Sequence, residues 1–262
     1  MRAQAPGKVV LSGAYSILDG APAIVSAVDR YVLADAARTA DFLTDEVRAS
    51  HICPAPWFDA SALRTENRKL GLGSSAAILA ASLAANALRH GSFPTDVSLA
   101  TTVFPKALEA HAAVQPLGSG IDVCATCFGG TRIAQLRAGK LEHEQVPLPS
   151  HLCVEVWAAP RACSTDAMLA ILFEYRGRHA HEYSRLMQTQ ADASERAASA
   201  LLKQNAGALV SALCEQRVAL ENLGRAAGLC IVTDEVSALA DAASMEAAML
   251  PSMLHRSHPR KG

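Results

Sequence analysis

The stretch Lys69-Leu70-Gly71-Leu72-Gly73-Ser74-Ser75-Ala76-Ala77 runs directly into the small-residue segment 78–88, and the chemistry of the chain is organised around it. Glycines free to adopt unusual backbone angles, two adjacent hydroxyls and a helix start present several backbone N–H groups at the positive end of a helix dipole. Phosphate is the anion such a loop takes, so a nucleotide or phosphorylated ligand is the first functional reading. A turn that merely begins a helix, with Ser74 or Ser75 as its N-cap, is the alternative the stretch leaves open. It is not a Walker A loop, because no Gly-Lys-Ser/Thr follows at the required spacing, nor is it the Gly-x-Gly-x-x-Gly dinucleotide fingerprint.

A second glycine-serine loop, Gly118-Ser119-Gly120-Ile121-Asp122, ends on a carboxylate that reads either as a helix N-cap or as a catalytic group. Cys124 and Cys127 form a lone Cys-x-x-Cys pair. A zinc site would want a second pair or suitably placed histidines, and a redox pair would want a thioredoxin-like context, so they read as small buried residues.

With 262 residues, 50% of them hydrophobic and 19% charged, the chain can bury a substantial core in one large or two moderate domains. A formal net charge of -1 supplies no general field for nucleic acid or anionic membrane, so phosphate recognition has to be local. The longest apolar stretch, residues 76–85, is interrupted by Ser82 and is too short to span a bilayer, and no secretory pattern opens the chain. Seven cysteines, an odd number at irregular spacing, fit a reducing compartment, and a cytoplasmic location is expected.

The elements that must position these groups follow in order. Residues 9–11 read as a buried strand broken at Ser12-Gly13, and residues 15–20 as a turn or short helix. Apolar runs at 21–28 and 31–37, with Asp29-Arg30 as the turn between them, complete an antiparallel sheet with the first strand. Segment 38–68 is polar and irregular. A helix runs from the glycine-serine loop to about Leu88, and a second spans 96–113, split or kinked by Pro105. Residues 131–136 read as a strand, and 152–158 alternate like another that opens a second domain. Ser164 or Thr165 then caps the first of several helices over 167–243, with breaks near Gly177, Gly207 and Gly228.

Three features together resemble the GHMP kinase superfamily. Pro6-Gly7-Lys8-Val9-Val10-Leu11-Ser12-Gly13 is similar to its first motif, Leu70 to Ala77 to its phosphate loop, and Gly118 to Asp122 to the segment carrying its catalytic Asp. Ala21-Pro22-Ala23, Ala27-Val28-Asp29-Arg30, Phe128-Gly129-Gly130 and the Ser164-Thr165 pair look most like the phosphomevalonate kinase branch, with the mevalonate kinase branch close behind.

The resemblance implies an α+β, two-domain fold: residues 1–150 an ATP-binding domain like ribosomal protein S5 domain 2, residues 151–262 a ferredoxin-like domain, expected to be incomplete. It implies ATP and Mg²⁺, with Gly71, Leu72, Gly73, Ser74, Ser75 and Ala76 around the nucleotide phosphates and Ser75 a ligand to Mg²⁺. Asp122 and Lys8 are the implied catalytic pair, the carboxylate orienting the attacking group and the ammonium holding negative charge. Ser164 and Thr165 are the implied acceptor contacts. Glu109 stands where the family carries a metal-binding glutamate, and a solvated helix face is its competing reading.

Two departures stand out. Ala14 occupies a position where the family often has an acidic residue, and the glycine-rich third motif of the Gly-Ala-Gly-Gly-Gly kind is expected to be truncated or replaced, since a basic run, His255 to Lys261, that reads as an exposed end stands where it is sought. The implied activity is ATP-dependent phosphorylation of phosphomevalonate in isoprenoid biosynthesis, with mevalonate as the alternative acceptor and a non-catalytic, nucleotide-binding relic as the alternative to turnover. The expected partner is a small-molecule phosphate acceptor, with neither nucleic acid nor membrane, and a homodimer is the assembly to test where missing strands would leave a sheet edge uncovered.

Overall fold

The computed structural model describes residues 1–65, 68–91, 93–156, 165–233 and 235–240, with residues 165 and 166 described by backbone alone. Strand β1 (Arg2–Ser12) is longer than its apolar signal, and pairs antiparallel with the long strand β2 (Ala23–Thr39). Between them lies a one-turn 3-10 helix, Ser16–Asp19, where a turn or short helix is expected.

Asp29-Arg30 is not a hairpin turn. Pro6 pairs with Tyr31 and Lys8 with Ala27, so residues 28–30 of β2 face Gly7 alone and bulge outward, leaving Asp29 and Arg30 exposed. The polar pair marks a bulge because β1 pairs with β2 on both sides of it.

Segment 38–68 is also more regular than its composition. It holds the short helix α1 (Asp45–Ala49), strand β3 (Pro56–Asp59) and the small hairpin β4 (Arg64–Thr65) with β5 (Arg68–Lys69). Thr44 Oγ1 accepts from the Val47 amide at 3.2 Å and so caps α1, while β3 exists by pairing with the far half of β2. Neither relation is visible in a local window.

Helix α2 (Ser74–His90) is alanine-rich because it is buried on two sides. Ala77, Ala81 and Ala85 pack with Val32, Ala34 and Ala36 of the sheet, whereas Leu79 and Leu83 pack with Val103 and Ala107 of α3 (Asp96–Val114). Small side chains let three layers approach closely.

Thr95 and Ser98 cap α3 reciprocally, and the helix continues unbroken through Pro105. The proline is exposed, so the carbonyl it cannot bond lies within reach of water. Helix α4 (Ile121–Phe128) follows the second glycine-serine loop, and β6 (Thr131–Arg137) and β7 (Lys140–Gln145) complete a five-stranded sheet ordered β1-β2-β6-β7, with β3 beside β2.

Of the strand expected over 152–158, residues 157 and 158 lie outside the described residues and 152–156 are not a strand: they alternate in type, yet Val154 and Val156 are exposed and no strand among the described residues pairs with them. Helices α5 (Thr165–Arg178), α6 (Ala180–Leu202) and α7 (Ala206–Ala227) follow. The breaks fall at His179, near Gly177, at 203–205, just before Gly207, and at Gly228. The strands that a ferredoxin-like domain requires are not among the described residues.

Helices α6 and α7 cover the sheet where Ile24 and Ile133 meet Leu201 and Leu209, while Ala23 and Val25 turn the other way to Ile121 and Ala125 of α4. That alternation is the period of a strand buried on both faces. A buried polar chain adds direction to the packing. The Gly13 amide donates to Gln216 Oε1 at 3.1 Å, Gln216 Nε2 donates to Ser194 Oγ, and the Ser194 and Ser16 hydroxyls lie 3.2 Å apart.

Candidate active site

Lys8 follows Gly7, the β1 residue that faces the β2 bulge, and its backbone N–H donates to the Leu72 carbonyl at 2.9 Å. This bond ties the glycine loop to the strand. Gly7 permits the approach, since a Cβ there would stand 2.7 Å from Leu63 Cδ2 and 2.9 Å from the Leu72 oxygen.

Gly73 is the N-cap of α2, with a φ of 71° and no side-chain cap. Neither Ser74 nor Ser75 caps the helix, so the plain N-cap alternative does not describe this loop. The Ala77 amide donates to the Gly73 carbonyl at 3.0 Å, which leaves the N–H groups of Ser74, Ser75 and Ala76 without intrahelical acceptors. A Cβ at position 73 would lie 2.9 Å from both Cγ and Cε of Lys8. Backbone handedness and the lysine stem thus both call for glycine here.

Asp122 sits in the first turn of α4, whose N-cap is Gly120 rather than the carboxylate. Its Oδ1 lies 2.9 Å from Lys8 Nζ, with the lysine side chain 14% and the aspartate side chain 32% exposed. Two helix N-termini and one ammonium therefore converge, an arrangement suited to stabilising charge on a transferred anion.

Two cavities adjoin this centre. The larger, about 700 Å³, is lined by Ser74 and Ser75 together with Phe42, Trp57, Phe58 and Ile78. The Arg38 guanidinium stands 3.9 Å over the Trp57 ring beside it. Aromatic walls next to uncapped N–H groups fit a nucleotide, the base against the rings and the phosphates toward the helix. The smaller cavity, about 250 Å³, is lined by Lys8, Asp122, Tyr15, His111 and Gln115, with Leu169 and Ile231 contributed by the C-terminal half. The pair expected to do the chemistry thus faces a compartment sized for a small acceptor.

Other expected site residues fall elsewhere. Leu72 and Ala76 are buried, serving the loop through their backbone groups, and Gly71 is exposed at its tip. Glu109 is exposed on α3 and lines neither cavity. Ser164 lies outside the described residues, as does the region where the third motif is sought. Thr165 begins α5, whose Leu169 reaches the smaller cavity. Among the described residues no group of three His, Cys, Asp or Glu side chains is placed to hold a metal by itself. A Mg²⁺ held mainly by phosphate oxygens and water needs no such cage. Burial pushes both Cys124 and Cys127 thiols up to about 12, in keeping with packing rather than redox or metal chemistry.

The aromatic wall, His111 and Gln115 belong to none of the motifs singled out in the sequence. Trp57-Phe58 beside a breaker, and a histidine and glutamine four apart just before the second loop, are the signals that were there to be used.

No family model matches the chain. A phosphomevalonate kinase from Streptomyces sp. (strain CL190) is 27% identical, over 91% of this chain and 83% of that protein. The Lin0012 protein of Listeria innocua superposes with a TM-score of 0.75 at 20% identity, covering 93% of this chain and 85% of that one. A Streptococcus pneumoniae phosphomevalonate kinase, solved with phosphomevalonate and AMPPNP, superposes with a TM-score of 0.66 at 14% identity, over 85% and 80% of the two chains.

Proposed function

We propose, from the premise that this chain has the GHMP kinase fold and is similar to phosphomevalonate kinase, that it is an ATP-dependent kinase acting on phosphomevalonate. The observation that carries the reading is the Lys8–Asp122 pair at 2.9 Å, held between the phosphate loop and a compartment of about 250 Å³. ATP supplies the phosphoryl group. Phosphoryl transfer asks little covalent chemistry of a protein and much positioning and charge stabilisation. The N–H groups of Ser74, Ser75 and Ala76 hold phosphate oxygens, Ser75 offers an oxygen to Mg²⁺, and Lys8 offsets negative charge as the new P–O bond forms and ADP leaves. Phosphomevalonate attacks through a phosphate oxygen that carries no proton at neutral pH, so Asp122 holds Lys8 and orients the acceptor rather than acting as a strong base. Thr165 and Ser164, at and before the start of α5, are proposed acceptor contacts. Residues 1–150 and 151–262 are proposed as the two domains.

The test is ADP release with ATP, Mg²⁺ and either phosphomevalonate or mevalonate, against an Asp122→Ala background. Turnover with phosphomevalonate well above that background is expected. Equal or greater turnover with mevalonate would reassign the acceptor. Folded protein that binds nucleotide but transfers nothing to either would make the chain a binding relic.

A further inference from the structure

His111 is 3% exposed at the inner wall of the smaller cavity, and its Nδ1 is buried with no hydrogen-bond partner among the described residues. Orphaned buried N–H groups are rarer in folded proteins than under-satisfied acceptors, which assigns the proton of the neutral imidazole to the other nitrogen. That nitrogen, Nε2, is on the side of the ring facing Gly118: a Cβ built at Gly118 would stand 3.5 Å from it. Gly118 and His111 both line the cavity.

Gln115 lies one turn further along, after the end of α3, and its backbone N–H donates to the His111 carbonyl at 2.8 Å. Its Nε2 donates to Oε1 of Glu46 at 3.4 Å, and Glu46 is a buried carboxylate. An ionised carboxylate only accepts, so this bond fixes the amide with nitrogen toward Glu46 and leaves Oε1 as the acceptor on its other side. The last turn of α3 and its C-cap residue thus offer the cavity a donor and an acceptor, the acceptor oriented from behind by Glu46.

We infer that His111 and Gln115 are acceptor-reading residues, His111 donating from Nε2 to an anionic oxygen of a small oxygen-rich acid and Gln115 accepting from its hydroxyl. The inference rests on the proposed kinase reading and adds to it a recognition wall distinct from Lys8 and Asp122. It also gives Glu46 a purpose as the positioning residue behind Gln115. Both side chains act on the acceptor alone, because neither lines the larger cavity.

Calorimetry with the full chain tests it, titrating phosphomevalonate and AMPPNP separately into unaltered, His111→Leu, His111→Gln and Gln115→Leu proteins. Acceptor affinity is expected to fall at least tenfold in His111→Leu and Gln115→Leu, with AMPPNP affinity within twofold throughout and partial recovery in His111→Gln, which keeps a donor. Unchanged acceptor affinity in a folded His111→Leu or Gln115→Leu protein overturns the inference and leaves the kinase reading standing. Failure of the unaltered protein to bind either phosphomevalonate or mevalonate overturns both. Should His111→Leu fail to fold, Gln115→Leu, at a half-buried position, decides the matter. In the unaltered protein the imidazole nitrogen shifts are expected to report the Nε2–H tautomer, and the opposite tautomer also overturns it.

Discussion

Lys8 Nζ lies 2.9 Å from Asp122 Oδ1, and the stem of the same lysine fills the space where a side chain at position 73 would stand. Strand, phosphate loop and second helix N-terminus are thereby interlocked through one side chain. Lys8→Met keeps the stem and removes only the charge. It is expected to lower kcat by roughly 10²–10³-fold, the range for loss of one preorganised charge-stabilising group, while nucleotide affinity shifts only a few-fold. Steady-state kinetics alongside calorimetry separate the two effects. A Lys8→Met protein with kcat within fivefold of the unaltered one would remove the ammonium from the chemistry.

Gly73→Ala is expected to act on stability and activity together. Alanine at a φ of 71° is strained, and its Cβ would press on Lys8 Cγ and Cε. The cost is more than about 1 kcal/mol, visible as a lower denaturant midpoint at unchanged slope. Displacement of the lysine stem should also lower kcat, whereas Gly71→Ala, at a tip with nothing within 4 Å of an added Cβ, should spare kcat and cost stability through backbone strain alone. Equal kinetic effects of the two substitutions would argue against the interlock.

Glu109→Gln provides a negative control with consequences. The side chain is exposed and lines neither cavity, so stability should change by less than about 0.5 kcal/mol and the Mg²⁺ dependence of turnover not at all. A Mg²⁺ requirement raised tenfold would restore the metal-binding reading that sequence position suggests.

The glycine-serine loops before helices 74–90 and 121–128, and the strand that carries Lys8, are legible in sequence because each depends on local backbone chemistry: glycine where φ is positive or space is absent, and for the loops a helix start beside them. The long helices 74–90 and 96–114 are legible for the same reason, through periodic burial and a capping box at Thr95. What is not legible depends on pairing across the chain. Asp29-Arg30 has a turn's composition and becomes a bulge only because β1 continues past it. Trp57 and Phe58 become a strand only beside β2. Residues 152–156 have a strand's alternation and lack a partner strand among the described residues. His111 and Gln115 sit one helical turn apart, but only the fold shows that the turn faces the Lys8–Asp122 compartment.

His143 makes the folded state sensitive to mild acid. Burial, and then the neighbouring Arg132 guanidinium, hold its pKa below the usual imidazole value, and its Nδ1 lies 3.0 Å from Arg132. The unfolded chain, with an imidazole pKa of about 6.5, takes up the proton first as pH falls. Protons favour the unfolded state in that window, so stability is lost as pH drops through the unfolded value and levels off only below the folded one. Urea midpoints at intervals from pH 7.5 to 5 should decline, and His143→Asn, which keeps an acceptor for Arg132 and cannot be charged, should flatten that decline. An unchanged slope in the variant would assign the acid sensitivity to other groups.

Gln216 couples the two halves of the chain, and its removal should be felt in both stability and acceptor binding. Its Oε1 accepts from the buried Gly13 amide at 3.1 Å and its Nε2 serves Ser194, which in turn meets Ser16. Leucine in its place fills a similar volume and leaves the Gly13 N–H and the Ser194 hydroxyl without that partner in a buried setting. An unsatisfied buried group costs about 1–3 kcal/mol, so Gln216→Leu should lower unfolding free energy by roughly 2–3 kcal/mol. Lys8 and Asp122 both belong to the N-terminal half, so kcat should hold within a few-fold. Leu169 and Ile231 line the smaller cavity from the C-terminal half, and on the proposed reading looser docking of that half should raise KM for the acceptor while leaving KM for ATP near its original value. Denaturation curves and two-substrate kinetics together check this, and a variant that loses kcat rather than acceptor affinity would show that the polar chain holds the reacting pair itself.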